Sequence, residues 1–114
     1  YIRLCQSADF IGSVNMEIIH KTKMEACCPN GGHINNYEIT IKVPSFVEVE
    51  KLETILKSFK GKKIFQEDLI KEVAKKIHED CFSSLQNKSI GIIMEGEHFD
   101  FHTTTIYEYP NTQY

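Results

Sequence analysis

One short segment, residues 27–35, concentrates the side chains best suited to chemistry. Cys27 and Cys28 are potential thiolate nucleophiles, His33 can carry a proton, and Asn35 offers a polar amide. The four residues after Cys28 are the turn formers Pro, Asn, Gly and Gly, so the segment is predicted to be a loop. Loops on a rigid scaffold often present reactive groups to a ligand, although a free cysteine is most often a small buried apolar residue.

A second candidate is Glu67, which sits beside the apolar Phe65 where a helix is expected to begin. A carboxylate held there can accept two hydrogen bonds from the N1 and 2-amino edge of a guanine-like ring. Its alternative role is favourable interaction with the helix dipole. A basic stretch precedes Glu67 and contains Lys57, Lys60, Lys62 and Lys63. Such a stretch is usually a solvated surface, and its alternative role is to bind phosphate groups.

Metal binding is not expected. Cys27, Cys28 and His33 are close in sequence, but the chain contains no CxxC, HxH or HExxH spacing, which zinc sites commonly use. The remaining histidines that could converge on them are His20, His98 and His102.

Length and composition indicate one globular domain over residues 1–114. Hydrophobic residues are 41% and charged residues 25%, as in ordinary globular proteins. The net charge of −3 argues against a generally basic nucleic-acid-binding surface. No apolar run is long enough for a membrane span, no signal peptide is evident, and four irregularly spaced cysteines indicate thiols rather than disulfides. A cytoplasmic protein is therefore expected.

Strands are predicted on both sides of a central helical region. Residues 37–43 alternate apolar and polar side chains, which is typical of an antiparallel strand with one buried face. An earlier strand is predicted over 13–23, and later ones over 89–95 and 99–109. The alternate side chains of the last strand are expected to lie on one face of the sheet, namely Phe101, Thr103, Thr105, Tyr107 and Tyr109.

Two helices are predicted between the strand pairs. Ser45 and Glu48 form a capping-box pattern, and Gly61 ends the apolar periodicity that follows. Glu67 and Asp68 open the second helix. The order ββααββ indicates an α+β fold, an antiparallel sheet with both helices on one face. Such a small sheet has edges to protect, for which assembly into a homo-oligomer is a natural solution.

Taken together, these segments resemble the QueF family of the tunnelling fold (T-fold), and more closely its archaeal QueF-like branch, the archaeosine synthases. That family has a Cys-Pro nucleophile, an Asp seven residues after the Cys that leads into a strand, a helix ending Ser-(Phe/Tyr)-(Arg/Lys), and then (Phe/Leu)-His-Glu. The corresponding residues here are Cys28-Pro29, Asn35, Ser58-Phe59-Lys60 and Phe65-Gln66-Glu67. The resemblance spans about residues 26–80.

The resemblance implies an oligomeric barrel with sites between subunits and chemistry on the nitrile of 7-cyano-7-deazaguanine, as the free base or in tRNA. Cys28 would form a thioimide, and ammonia would convert it to the amidine without a cofactor. Glu67, Gln66, Phe65 and Ser58 would bind the substrate. The family Asp and His are Asn35 and Gln66 here. Because an amide cannot donate a proton as a carboxyl does, Asn35 would hold the nitrile nitrogen, and His33 or Glu67 would supply the proton.

Three alternatives remain open. An NADPH-dependent nitrile reductase would carry a Glu-Ser-Lys-Ser cofactor segment, where this chain has Glu48-Val49-Glu50-Lys51. A pyruvoyl- or carboxy-tetrahydropterin synthase-like enzyme with zinc would use Cys27 as nucleophile and Glu95 to grip the ring, and it would match residues 32–37 to Gly-His-Gly-His-Asn-Tyr. A catalytically inactive binding subunit would account for Asn35 and Gln66.

Overall fold

A computed structural model describes residues 2–4, 16–82 and 89–110 of the chain. Five strands and two helices follow in the order β1 (Ile2–Leu4), β2 (Met16–Cys27), β3 (Ile34–Val43), α1 (Val49–Lys57), α2 (Gln66–Cys81), β4 (Ile90–His98) and β5 (Phe101–Tyr109). The strands form one antiparallel sheet in the order β1-β2-β3-β4-β5. Among the described residues, no helix is sufficiently long and apolar to cross a membrane.

The two helices pack on one face of the sheet, as the sequence predicts. On β3 the buried side chains are Tyr37, Ile39, Ile41 and Val43, at the period of two that places them together. They meet the apolar stripe of α2, which includes Leu69, Val73 and Ile77. The helix face of the sheet is therefore the core, and β2 to β5 with α1 and α2 confirm the predicted ββααββ order; the short β1 is an addition.

The predicted capping box at Ser45 is wrong. Helix α1 begins at Val49 with Glu48 at its N-cap, and no side chain caps it. Val47 is buried in the core, so the residues after β3 are used to cross from the sheet to the helix layer. The helix ends at Lys57, and Gly61 takes a positive φ of 83° in the turn that follows.

Strand β2, the first of the predicted strands, extends farther than expected. Strand β2 continues to Cys27, four residues beyond the predicted end at Lys23, because its pairing with β3 persists as far as Cys27 and Ile34. The predicted turn between these strands is confirmed at residues 29–31. Residues 13–15 of the predicted strand, and Cys5, lie outside the described part of the chain; the three described cysteines are free.

The sheet face away from the helices is largely polar. Its cross-strand neighbours include Lys23 with Glu38 and Glu38 with Glu95. His102 bridges two carboxylates on this face, with Nδ1 2.6 Å from Glu97 and Nε2 3.0 Å from Glu95. These hydrogen bonds, to Glu97 first and then Glu95, raise the pKa of the His102 imidazole above its usual value. A face with this charge density suits contact with water rather than an apolar partner.

Candidate functional site

Backbone pairing brings the cysteine turn to the start of α2. The Cys27 amide donates to the Lys62 carbonyl at 2.8 Å, and the Ile64 amide donates to the Cys27 carbonyl at 3.0 Å. The turn itself is closed by the Cys28 amide donating to the His33 carbonyl at 2.8 Å. Because Cys27 is tied to the segment that enters α2, Cys28 is held beside residues 64–67.

A pocket of about 370 Å³ opens between this turn, the start of α2 and the β4–β5 hairpin. It is lined by Cys28, Pro29, Asn30, Asn35, Tyr37, Ile64, Phe65, Gln66, Glu67, His98, Phe99, Phe101 and Thr103. Five of the residues predicted for a site therefore surround one cavity: Cys28, Asn35, Phe65, Gln66 and Glu67.

The pocket distinguishes Cys28 from its neighbour. Cys28 lines it and is partly exposed, with its Sγ donating to the Asn30 carbonyl at 3.2 Å. Cys27 pairs with Ile34 across the sheet, whereas Ala26 pairs with Asn35. Since side chains alternate between faces along a strand, Cys27 is directed to the polar face and Asn35 to the pocket side. Of the three cysteines that the structure describes, Cys28 alone lines the pocket.

Glu67 is the free anion of the pocket. It lies exposed in the first turn of α2, and among the described residues it forms no hydrogen bond or ion pair. The helix dipole stabilises a carboxylate at this position. Phe65, whose side chain is 49% exposed, flanks it one residue before the helix. The pair offers a charged acceptor next to an aromatic surface, which is a suitable arrangement for a planar ring with N–H donors.

Gln66 lines the pocket, but its side-chain amide already forms hydrogen bonds within the protein. The side chain is buried, and its Nε2 donates to the Met94 carbonyl at 3.0 Å, the Thr103 carbonyl at 3.1 Å and Thr105 Oγ1 at 3.2 Å. Carbonyl oxygens only accept hydrogen bonds, so this network fixes the amide orientation. Gln66 Oε1 accepts from His98 Nε2 at 2.8 Å, because an amide oxygen only accepts hydrogen bonds.

Tyr37 lines the same pocket, and its hydroxyl is buried. Its side chain is 1% exposed, and its ring fits against Gly96, where an added Cβ would lie 2.6 Å from Tyr37 Cδ1. Burial raises the pKa of the Tyr37 phenol; a hydrogen-bond interaction with the nearby Asn35 side chain lowers it, and electrostatic interaction with Cys28 and Glu67 raises it further. By distance and angle, however, the Oη has no hydrogen-bond partner among the described residues, so Asn35 is near the hydroxyl without being placed to satisfy it.

Two predicted site residues lie elsewhere. Ser58 ends α1, where its Oγ donates to the Ile55 carbonyl at 2.6 Å, and it does not line the pocket. His33 is exposed in the cysteine turn, and its ring lies against Gly31 rather than in the pocket. Glu95, the ring-gripping residue of the pterin-synthase alternative, is bound to His102 on the polar face.

The β4–β5 hairpin contributes residues that sequence reasoning did not assign to a site. Phe99 has a positive φ of 57° and is 98% exposed, and Phe101 is 74% exposed. Both residues line the pocket, so their exposed side chains form an apolar rim around it. The sequence does contain one indication that Tyr37 belongs to the site. Tyr37 lies two residues after Asn35 on a predicted strand, so the two side chains share a face. The sequence contains no such indication for Phe99 and Phe101, because only the pairing of β4 with β5 brings them to α2.

The histidines and cysteines do not form a metal site among residues 16–82 and 89–110. No three His, Cys, Asp or Glu side chains of these segments converge as ligands. His98 lines the pocket, His102 is on the polar face, and His20 lies in a separate groove between β2 and α1. The zinc of the pterin-synthase alternative therefore has no assembled ligand set in this part of the chain.

Comparison with known proteins supports the fold. No protein-family model matches the sequence, and no curated protein matches it. The crystal structure of the archaeosine synthase QueF-like in its apo form is similar, with a TM-score of 0.73 and 15% sequence identity over 85% of this chain and 96% of that one. This likeness shows that the chain has an α+β tunnelling fold similar to that of the archaeosine synthase structure.

Proposed function

We propose that this protein acts on the nitrile of 7-cyano-7-deazaguanine, free or in tRNA, and converts it through a Cys28 thioimide into the amidine, with ammonia as second substrate. The observation that carries the proposal is that Cys28, Asn35 and Glu67 line one pocket in a chain whose fold matches an archaeosine synthase QueF-like. These residues supply a sulfur nucleophile for the nitrile carbon, an amide for the nitrile nitrogen and a carboxylate for the ring.

The pocket supports definite roles for its residues. Glu67 accepts hydrogen bonds from the N1 and 2-amino edge of the ring, and Phe65 packs against the ring face. Asn35 donates an amide hydrogen to the nitrile nitrogen. Gln66 holds His98 through the 2.8 Å hydrogen bond and contacts no substrate, since both ends of its amide are used. After thioimide formation, ammonia attacks the same carbon and the Cys28 thiolate leaves.

The alternatives fit the geometry less well. In the pterin-synthase alternative the nucleophile would be Cys27, which is directed to the opposite sheet face from the pocket. A reductase would bind the phosphates of NADPH, whereas Glu48 and Glu50 place two carboxylates in the aligned segment at the start of α1, and like charges repel. An inactive binding subunit would keep the pocket and Glu67 but form no covalent intermediate.

The function is tested by incubating the protein with 7-cyano-7-deazaguanine and recording its intact mass. We expect an increase equal to the mass of the intact base, because nitrile addition releases no atoms. Addition of ammonia should discharge the adduct and release the amidine, while addition of NADPH should release no amine. Tight binding with no mass increase would instead establish the inactive binding subunit, and the absence of both would reject the proposed ligand.

Glu67→Gln is expected to weaken binding of the free base by about 1.5 to 3 kcal/mol, the scale of a lost hydrogen bond to a charged group. The carboxamide keeps the shape but replaces one of two acceptor oxygens with a donor. Isothermal titration with the Cys28→Ser protein measures the affinity without adduct formation. Glu72→Gln, on the same helix but outside the pocket, is the control. Unchanged affinity in Glu67→Gln would reduce Glu67 to a helix-dipole residue.

We also propose a homo-oligomer in which a neighbour completes each pocket. Strand β5 is an open edge of the described sheet, and β1 covers only Met16–Ile18 of β2. Open edges invite strand pairing, and Phe99 and Phe101 provide exposed aromatic surface beside the pocket. Sedimentation velocity at micromolar concentration should show a species larger than the 13.2 kDa chain, and Phe101→Arg should shift it toward monomer. A wild-type monomer with full activity would contradict shared sites.

A further inference from the structure

Tyr37 has a buried hydroxyl that lacks a well-placed hydrogen-bond partner in residues 16–82 and 89–110. The residue is 1% exposed, its Oη is unpaired among the described residues, and it lines the pocket with Cys28 and Asn35. Buried polar groups in native proteins are nearly always hydrogen-bonded, and an exception requires an explanation. A ligand atom in the pocket that accepts a hydrogen bond would supply the missing partner.

We propose that the Tyr37 hydroxyl donates the proton to the nitrile nitrogen as the Cys28 sulfur attacks the nitrile carbon. This inference rests on the proposed function and adds the residue that performs its acid step. It assigns Tyr37 the task that a carboxyl group performs in the family that the motifs resemble, where this chain has Asn35.

The position of the hydroxyl is set by the sheet. Asn35 and Tyr37 are two residues apart on β3, so their side chains share the pocket side. Across the ladder Tyr37 is paired with Gly96, and the absence of a side chain at Gly96 allows the Tyr37 ring to lie over that strand. The ring centroid is 6.2 Å from that of His98, which Gln66 holds in place. Tyr37 is thus confined by its neighbours.

The electrostatic setting keeps the proton available. Burial raises the pKa of the Tyr37 phenol above its usual value of 10.0, so the group is a neutral donor throughout the neutral range. The Asn35 amide, which has no proton to transfer at these pH values, orients the nitrile instead. The exposed His33 lies outside the pocket lining, and Glu67 is committed to the ring in the proposed complex.

The proposed step is balanced without another reactant. The Cys28 sulfur forms a bond to the nitrile carbon, one π-electron pair moves to nitrogen, and the O–H bond of Tyr37 breaks as the N–H bond forms. The proton lost by the Cys28 thiol returns to the Tyr37 phenolate through solvent. Thiol and nitrile thereby become a neutral thioimide, and Tyr37 is restored.

Tyr37→Phe tests this assignment because it removes only the unpaired oxygen and keeps the ring against Gly96. We expect adduct formation with the free base, followed by quenched-flow intact mass, to slow by about 10² to 10⁴, the usual contribution of general acid catalysis. Affinity measured in a Cys28→Ser background should fall far less than the rate does, by the modest loss of one neutral hydrogen bond. Tyr107→Phe, a half-buried tyrosine on the same sheet face, should react as the wild type.

Two further readouts separate proton donation from a structural role. The wild-type rate should fall only at a pH above the usual tyrosine pKa of 10.0, because burial raises the pKa of Tyr37, and Tyr37→Phe should lack this fall. Adding Asn35→Asp to Tyr37→Phe should restore much of the rate of adduct formation near pH 5. At that pH a larger fraction of the introduced carboxyl group is protonated, so it can donate the proton in place of the Tyr37 hydroxyl. Wild-type adduct formation with no slowing in Tyr37→Phe would overturn the Tyr37 role alone. No adduct in the wild type or any variant would overturn the nitrile function and the Tyr37 role with it.

Discussion

Cys28→Ser should abolish the covalent adduct with 7-cyano-7-deazaguanine, whereas Cys27→Ser should form it at the wild-type rate. The two cysteines are adjacent, but the pairing of Cys27 with Ile34 directs its side chain away from the pocket that Cys28 lines. Serine keeps a hydrogen-bond donor for the Asn30 carbonyl, so the turn should persist. Intact mass followed by peptide mapping measures both the extent and the position of the adduct.

The same variants report whether the site is correctly assigned. Adduct formation in Cys28→Ser, mapped to Cys27, would show that the nucleophile is on the other sheet face and would revive the pterin-synthase alignment. Loss of the adduct in both variants, with the fold intact by circular dichroism, would indicate that the turn requires both thiols. Only retention in Cys27→Ser and loss in Cys28→Ser agrees with the pocket.

Gln66→Leu should lower the free energy of unfolding by about 2 to 4 kcal/mol. The substitution preserves approximate volume but removes the amide contacts of the Thr103 carbonyl and the His98 ring, and each buried group left unpaired costs about 1–3 kcal/mol. The Met94 carbonyl loses the amide as well but keeps the Thr105 hydroxyl at 3.3 Å. The exposed end of the β4–β5 hairpin can relax, which lowers the total free-energy cost of the unpaired groups. Urea unfolding followed by circular dichroism measures the change.

Glu67→Gln is the matched control for this variant, because the neighbouring residue is exposed and unpaired in the described structure. It should leave the unfolding free energy almost unchanged while weakening ligand binding. The opposite pattern, in which Gln66→Leu is as stable as the wild type but binds the base poorly, would make Gln66 a substrate contact, as the motif resemblance implies. The two adjacent positions thereby separate support of the fold from recognition.

Much of the fold is predictable because it follows from local periodicity. The alternation along residues 37–43 and the apolar stripe of α2 each require only that one face be buried, and both appear in the structure. The motif order Cys28-Pro29, Asn35 and Phe65-Gln66-Glu67 likewise placed the candidate site on two segments before their contact was known. The failed prediction at Ser45 was also local: the capping pattern was present, but burial of Val47 outweighed it.

Tertiary structure alone decided how the site is assembled. Sequence spacing could not show that Cys27 pairs with the segment entering α2, because that contact joins residues more than thirty positions apart. It could not show that the Gln66 amide donates hydrogen bonds to β4 and β5, or that no described residue is placed to pair with the Tyr37 hydroxyl. Hydrogen-bond satisfaction is a property of the folded surroundings, so the sequence by itself determined which groups are present, and packing determined which of them remain free to act on a ligand.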